Sequence, residues 1–277
     1  MNGQQQGGAL ADWAVPPELA ADIAGRFIVE TVAAAGVAGV VVGLSGGIDS
    51  AVSAALAARV LGAPRVLAIF LPYETSAPTS LTDARAVAEA LGVRLETLEI
   101  TPIVDAFLQR IPNAGRVRRG NVMARVRMTV LYDLSAREKA LVLGTGNRSE
   151  ILLGYTTLHG DAACGLNPLG SLYKTEVRRL AAFLGLPKAV LHKPPSADLW
   201  VGQADEDELG FTYAEVDSLL HCMVDEGLGA RQLAALGFAP SLVEKVRARV
   251  KATAFKRRLP PVAPLPGRAS PEDTNLP

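Results

Sequence analysis

Short apolar runs alternate with helical patterns along the chain up to about residue 184. Runs rich in valine, isoleucine and leucine predict four strands, at residues 38–44, 65–71, 93–100 and 140–146. Helical periodicity predicts helices at residues 50–61, in a segment ending near 91, at 121–136 and at 173–184. This alternation is typical of a parallel sheet built from strand–helix–strand units.

The strand signals fade after Gly185, while helical patterns continue. Leu242, Val246 and Val250 recur on one helical stripe, which predicts a helical extension at the C-terminal end of the domain. Residues 259–277 are rich in proline and predict a disordered tail. We therefore expect one domain at residues 1–258 and a tail at residues 259–277.

Composition narrows the class of protein. Of the 277 residues, 49% are hydrophobic and 20% are charged, which fits a globular chain with a sizeable core. Lysine plus arginine (28) balance aspartate plus glutamate (28), so no overall basic field favours a nucleic-acid partner. The longest apolar run, residues 32–44, is shorter than the roughly 20 residues of a membrane span. With no visible signal peptide, a cytoplasmic protein is expected.

The segment Ser45–Ser50, SGGIDS, carries the first candidate chemistry. It follows the first predicted strand and precedes a helix, the position at which open parallel sheets bind ligands. Gly46 and Gly47 let backbone amides approach a phosphate, and Ser45 and Ser50 add hydroxyl donors at the helix N-terminus. An ordinary glycine turn that caps the helix is the alternative, but it does not need both serines and Asp49.

Five further motifs follow this loop in order: NVMARVRM, GTGNRSEILLGY, LNPLGSLYKTEVRRLAAFLGLP, KPPSADLW and DEDELG. Together with SGGIDS they resemble the ammonia-dependent NAD synthetases, a family of N-type ATP pyrophosphatases of the PP-loop superfamily, over about residues 20–262. The resemblance implies an adenine-nucleotide α-hydrolase-like α/β fold. Its single open, mostly parallel sheet would have five strands flanked by helices. A homodimer with the acid substrate near its interface is implied as well.

The resemblance also implies a reaction. ATP adenylates the nicotinate carboxylate of deamido-NAD and releases pyrophosphate, after which ammonia displaces AMP to give NAD. Mg²⁺ would assist, because charge gathers on the phosphates in the transition state. We expect free ammonia as the nitrogen source, because the roughly 40 residues before the loop are too few for the amidotransferase domain of glutamine-using relatives.

Matching the family's motifs residue by residue assigns the candidate site. The ATP-binding candidates are Ser45, Gly46, Gly47, Asp49, Ser50, Thr145, Lys174 and Ser196. The candidates for deamido-NAD are Arg125, Leu158, Asp161 and Lys256. Asp49 and Glu150 match the magnesium positions and offer the hard oxygen ligands that Mg²⁺ prefers. Asp49, Asp161 and Lys174 are the catalytic candidates, Lys174 as a point charge for phosphates.

Arginines are concentrated in residues 106–132, which contain no acid: Arg110, Arg116, Arg118, Arg119, Arg125 and Arg127. Only Arg125 matches a family contact to the dinucleotide. We expect the other five at the surface or at a dimer interface.

The chain departs from the family in the segments that hold deamido-NAD. Leu158 stands where a lysine is common, His159 replaces an aromatic residue, and Ala162 and Ala163 replace two glycines. Phe255 stands where a histidine is common. Three interpretations stay open: a divergent NAD synthetase, an amide-forming ligase for another carboxylic acid, and a nucleotide-binding homologue without turnover.

Overall fold

A parallel sheet of four strands lies at the centre of the computed structural model, which describes residues 13–196, 198–200, 202–263 and 265–266. The strands are β1 (Val40–Gly43), β2 (Val66–Phe70), β3 (Arg94–Thr97) and β4 (Leu141–Val142). Their spatial order is β3-β2-β1-β4, with every neighbouring pair parallel. The chain therefore moves outward from β1 to β3 on one side and returns to the other side of β1 with β4.

The helices follow the predicted alternation and continue after the sheet ends. In chain order they are α1 (Pro17–Ala34), α2 (Ile48–Leu61), α3 (Pro78–Leu91), α4 (Thr101–Leu108), α5 (Arg116–Glu138), α6 (Arg148–Leu153), α7 (Lys174–Phe183), α8 (Lys188–Leu191), α9 (Asp205–Leu209), α10 (Tyr213–Leu220), α11 (Ala230–Ala235) and α12 (Pro240–Ala252). Within the described residues, no helix is both long enough and apolar enough to cross a membrane.

Alternating strand residues bury against two different helical layers. Val40 and Val42 of β1 pack in one core with α1, α2, α3 and α7, while Val41 packs in a second core with α4 and α5. Strand β2 is buried along its whole length, which explains why it reads as a continuous apolar run rather than as an alternating one. The result is a three-layer α/β/α arrangement.

The predicted fifth strand is wrong for this chain: the described sheet has four strands. Where a fifth would lie, Leu166 makes a single parallel bridge to Leu143 beside β4. The chain then turns at Asn167 and Pro168, where the Asn167 side chain binds the Gly146 carbonyl and proline has no N–H to continue a ladder. The fourth predicted strand is shortened to Leu141–Val142, since the chain leaves the sheet to form the loop before α6.

The C-terminal helical extension is present, as predicted, and its helices pack with α6 in a third core. Buried side chains of α10 and α12, among them Tyr213, Leu219 and Val246, pack against Leu153 of α6. This core covers the end of the domain at which α6 and α7 begin. Residues 259–263 and 265–266 contain neither helix nor strand, and the rest of the predicted tail lies outside the described residues.

Gly154 lies at a close contact between the end of α6 and the residue that follows α12. Gly154 ends α6 in the left-handed conformation (φ 62°), and a Cβ atom there would collide with the side chain of Thr253, just after α12. Gly185, which follows α7, has a similar φ of 69° but open space around it. Substitution at Gly185 therefore tests the cost of the left-handed backbone alone, and substitution at Gly154 tests that cost together with the collision with Thr253.

We expect Gly185→Ala to lower the free energy of unfolding by about 1 kcal/mol, the cost of the left-handed backbone alone. Gly154→Ala should lower it by a further ~1–3 kcal/mol, because Thr253 must also move. Urea denaturation of the two variants measures the difference. Equal losses would show that Thr253 does not pack on α6 in solution.

Candidate active site

The strand order places a cleft where the chain's path reverses, between the carboxyl ends of β1 and β4. Open α/β sheets bind ligands at such a switch point. The cleft has a volume of about 730 Å³, within the range of small-molecule sites. Ten of the sequence-predicted residues line it: Ser45, Gly47, Asp49, Ser50, Thr145, Glu150, Asp161, Lys174, Ser196 and Lys256.

The glycine loop, Ser45–Ser50, connects β1 to the first turn of α2. Gly46 adopts a left-handed backbone (φ 77°), and a Cβ atom there would collide with the Ser80 carbonyl oxygen, so only glycine fits. The hydroxyl of Ser45 accepts a hydrogen bond from the Gly47 amide at 3.2 Å. Among the described residues, no side chain caps α2, and the residues of its first turn line the cleft. This geometry suits an anion at the helix N-terminus.

Three predicted residues from distant parts of the chain meet beside this loop and form what we call the ion cluster: Asp49, Glu150 and Lys174. Lys174 Nζ lies 2.5 Å from Asp49 Oδ2 and 3.2 Å from Glu150 Oε1. The Lys174 side chain is 3% exposed, while Asp49 and Glu150 are 17% and 15% exposed. The ammonium thus bridges two carboxylates that keep some access to the cleft.

Burial and charge act against each other in this cluster. Burial by itself would lower the pKa of Lys174, but the carboxylates of Asp49 and Glu150 outweigh it and raise that pKa. Burial raises the pKa of Glu150 above its usual range, an effect that the nearby ammonium opposes. The Tyr213 ring lies 5.3 Å from Lys174 Nζ, as a cation–π partner. Lys174 is therefore held as a cation.

Asn147 fixes the two carboxylates relative to each other. Its Nδ2 donates to Asp49 Oδ1 at 2.9 Å, and its Oδ1 accepts from the backbone amide of Glu150 at 3.0 Å. Glu150 Oε2 accepts in return from the Asn147 amide, which completes a capping box at the start of α6. One buried asparagine thus caps the helix and orients the carboxylates. Sequence reasoning did not single out Asn147. An asparagine followed three residues later by a glutamate, as in the motif GTGNRSE, is nevertheless a signal for the start of a helix.

Residues 193–196 and 198–200, which we call the strap, line the cleft beside the glycine loop. Lys193 Nζ lies 2.8 Å from Asp83 Oδ2 and 3.4 Å from the Gly46 carbonyl oxygen. The carboxylate of Asp198 accepts from the Ala77 amide at 3.3 Å and from Ser80 Oγ at 3.1 Å, at the start of α3. These bonds hold Ser196 at the cleft wall.

Asp161 and Lys256 line the other end of the cleft. Lys256 Nζ donates to the carbonyl oxygens of Gly154 and Thr156 at 2.7 and 2.6 Å. Partial burial lowers the pKa of Lys256. Asp161 Oδ1 accepts a hydrogen bond from the Thr157 amide at 2.8 Å. The loop 154–161 is thus braced from both sides.

Arg125, Leu158 and Gly46 are the predicted residues that do not line the cleft. The guanidinium of Arg125 is exposed and donates through Nε and Nη2 to the Leu158 carbonyl oxygen at 3.3 and 3.2 Å. Arg125 and Leu158 thus lie together, but on the outside of loop 154–161. Their assigned contacts stay predictions.

Arg127 is the arginine that sequence reasoning placed wrongly at the surface or an interface. Its Nε donates to the Leu71 carbonyl oxygen at 3.0 Å, at the end of β2, and its side chain lines the cleft. Burial lowers the pKa of Arg127, and the carboxylates of Asp198 and Asp161 act in the opposite direction. Helical spacing could have indicated this position, because Ala124, Arg127 and Leu131 recur on one face of α5, and all three line the cleft.

A family model described as NAD synthase matches residues 21–260 of this chain. The NH(3)-dependent NAD(+) synthetase of Trichlorobacter lovleyi is 54% identical over 233 residues, which cover 84% of this chain and 85% of the relative. The protein of the same name from Chlorobaculum parvum is 50% identical over 242 residues, 87% of each chain.

Solved structures of similar proteins superpose over most of the chain. The structure of NMN synthetase from Francisella tularensis has a TM-score of 0.81 and 33% identity, and covers 91% of this chain and 100% of its own. The NH3-dependent NAD synthetase from Campylobacter jejuni, in complex with the nitrate ion, has a TM-score of 0.78 and 36% identity, covering 90% and 100%.

The ion cluster predicts a large effect of removing its cation. We expect Lys174→Met to lower the free energy of unfolding by about 3 kcal/mol, because two neighbouring carboxylates then lose their partner. Lys188→Met, at an exposed helical lysine, should change it by less than about 0.5 kcal/mol. Urea denaturation at neutral pH compares them. A Lys174→Met protein as stable as the wild type would contradict the bridging role.

Proposed function

Because the chain belongs to the NAD synthase family, we infer that it is a ligase that amidates the nicotinate carboxylate of deamido-NAD with ammonia, at the expense of ATP. The carboxylate oxygen attacks the α-phosphorus of ATP, and pyrophosphate leaves. The nitrogen of ammonia then attacks the carbonyl carbon of the acyl adenylate, and AMP leaves as the amide forms. Since ATP is a cytoplasmic substrate, the cytoplasm stays the predicted location.

The observation that carries this inference is the meeting of the glycine loop and the ion cluster in one cleft. The loop offers backbone amides and hydroxyls to phosphates, and Lys174 supplies a fixed positive charge. Asp161 and Lys256 line the opposite end, where the acid would lie. A single cleft can therefore hold ATP and the acid side by side, which lowers the entropic cost of bringing them together.

We propose that Asp49 and Glu150 hold Mg²⁺ together with the ATP phosphates. The residues fit such an ion, because two carboxylates at the cleft already bind one cation, the Lys174 ammonium. Sites that hold Mg²⁺ with one or two carboxylates plus substrate phosphates are common. Bound there, the ion would neutralise charge that develops on the leaving pyrophosphate.

The chain's own residues do the rest of the work in this proposal. The β- and γ-phosphates bind to Ser45, Gly47 and Ser50. The fixed ammonium of Lys174 lies next to the α-phosphate. Arg127 would orient the reacting carboxylate, because its side chain lines the cleft and is anchored by the Leu71 carbonyl oxygen. Its planar guanidinium suits a carboxylate or a phosphate.

We propose a homodimer in which Arg125 and Leu158 act across the interface. Both residues lie outside the cleft of their own chain, and the Leu158 carbonyl fixes the exposed guanidinium of Arg125. A neighbouring copy would bring that guanidinium towards a second acid site. Light scattering at micromolar concentration should give the mass of two chains.

A second candidate function is the amidation of nicotinate mononucleotide. The similarity to an NMN synthetase structure, at a TM-score of 0.81, favours it. The two acids share the reacting nicotinate group and differ in the adenylate half.

One assay tests the proposed function. Purified protein is incubated with Mg²⁺-ATP, ammonium and either deamido-NAD or nicotinate mononucleotide, and the amide, AMP and pyrophosphate are measured. NAD formation with a higher kcat/KM for deamido-NAD supports the first function, and the reverse preference supports the second. ADP and phosphate as products, or no amide from either acid, would overturn both.

We expect Asp49→Asn and Glu150→Gln each to lower kcat at least ~100-fold while the protein stays folded, because each keeps its shape but loses charge towards Mg²⁺. Glu30→Gln, at an exposed position of α1, is the matched control and should leave kcat unchanged. Steady-state kinetics over a range of Mg²⁺ concentrations and circular dichroism give the two readouts. Near-normal turnover of either variant at saturating Mg²⁺ would remove that residue from the metal site.

Leu158→Lys should lower KM for deamido-NAD roughly tenfold with little change in kcat, because one charge-assisted contact adds uniform binding. Leu158→Met, similar in size but uncharged, should behave like the wild type. If nicotinate mononucleotide is the preferred acid, Leu158→Lys should instead leave its KM unchanged or raise it. Kinetics with both acids on all three proteins distinguish these outcomes.

A further inference from the structure

A fully buried carboxylate lies behind the ion cluster, in the C-terminal helices. Asp217 of α10 is 0% exposed, and its residue type is almost never fully buried without partners. Tyr213, one turn earlier on the same helix, packs its ring against Lys174. This face of α10 therefore points at the residues assigned to ATP and Mg²⁺.

Asp217 connects the first turns of two helices. Its Oδ1 accepts a hydrogen bond from Ser149 Oγ at 2.6 Å, and its Oδ2 accepts from the backbone amide of Thr175 at 2.9 Å. Ser149 Oγ in turn accepts from the backbone amide of Lys174 at 2.9 Å. Ser149 directly precedes Glu150 in α6, and Thr175 directly follows Lys174 in α7.

The position suits a negative charge. The first amides of a helix have no intrahelical acceptor and carry the positive end of the helix dipole. Here α7 presents the Thr175 amide to the carboxylate, and α6 adds the Ser149 hydroxyl. Burial raises the pKa of Asp217 to about 6, which still leaves it ionised at neutral pH. An ionised group so deeply buried is stable only because its hydrogen bonds are complete.

We propose that Asp217 is a positioning residue that sets the separation of Glu150 and Lys174 and so aligns the metal ligand with the phosphate-binding ammonium. This inference rests on the proposed function. It makes the C-terminal helical extension part of the active site, although Asp217 touches no substrate. Without both carboxylate oxygens, α6 and α7 would no longer share an acceptor, and Lys174 would move relative to Glu150.

The chain offers a matched control that contacts the same two helix starts through other residues. The Asp225 carboxylate pairs with Arg148, the first residue of α6, and accepts from Tyr173 Oη at 2.8 Å, just before α7. Asp225 thus also joins the starts of α6 and α7. No hydrogen bond or ion pair in the described residues links it to Asp49, Glu150 or Lys174.

The test compares Asp217→Asn with Asp225→Asn in the full chain. We expect Asp217→Asn to lower kcat at least about tenfold and to weaken Mg²⁺-ATP binding in calorimetry by about three- to tenfold. KM for the acid should stay within about twofold, because Asp161 and Lys256 are braced by other contacts. Asp225→Asn should lower the Tm and leave kcat and ATP affinity unchanged.

Ser149→Ala supplies the second variant should Asp217→Asn fail to fold. It removes one of the hydrogen bonds to Asp217 without burying a new polar group. It should lower kcat, as Asp217→Asn does. The double variant should lose less than the product of the two single effects, because both act through one contact.

Wild-type kcat in Asp217→Asn and in Ser149→Ala would overturn the inference. Equal losses of stability and of kcat in the Asp217→Asn and Asp225→Asn proteins would also overturn it. Failure of the proposed function is recognised separately, as absent amide formation by the wild type. In that case the calorimetric comparison of Mg²⁺-ATP binding still decides the role of Asp217.

Discussion

The ammonium of Lys174 between the carboxylates of Asp49 and Glu150 is the interaction on which the site depends. All three residues lie in the first turns of helices, α7, α2 and α6, whose N-terminal ends converge on the cleft. The two acids suit that position, because the helix dipole favours negative charge there. A lysine does not, and its cost is offset by the two carboxylates and by the Tyr213 ring. Such a local conflict is typical of a functional site, and it supports the proposal that this cation binds phosphates.

The sheet and the C-terminal helices share the task of building this cluster. Strand order brings the glycine loop and the start of α6 to neighbouring strand ends, which places Asp49 beside Asn147 and Glu150. The third core then covers the ion cluster from behind, with Tyr213 and Asp217 contacting it or its helices. Burial from this side reduces solvent screening, so that each charge acts more strongly on the phosphates of a bound nucleotide.

The two ends of the cleft differ in how firmly the chain defines them. At the ATP end, backbone geometry leaves little freedom, since Gly46 tolerates no side chain and the ion cluster is held by several charge-assisted bonds. At the acid end, carbonyl oxygens of the loop 154–161 hold Arg125 and Lys256. Substitutions such as Leu158 and His159 lie in that loop. Under the proposed assignment of the two ends, recognition of the acid could vary without disturbing the residues that carry out adenylation.

The sequence by itself determined what depends on neighbouring residues: the alternation of strands and helices, the glycine loop, the helical extension and, by resemblance, the candidate residues. Periodicity and capping chemistry are local, so contiguous residues reveal them. Only the tertiary structure decided that no fifth strand joins the described sheet, because Leu166 makes one bridge before Asn167 and Pro168 turn the chain away. It alone turned Arg127 into the cleft and set Asp217 behind Lys174. Those contacts join residues far apart in the chain, and they depend on how the layers pack, which no local pattern of side chains specifies.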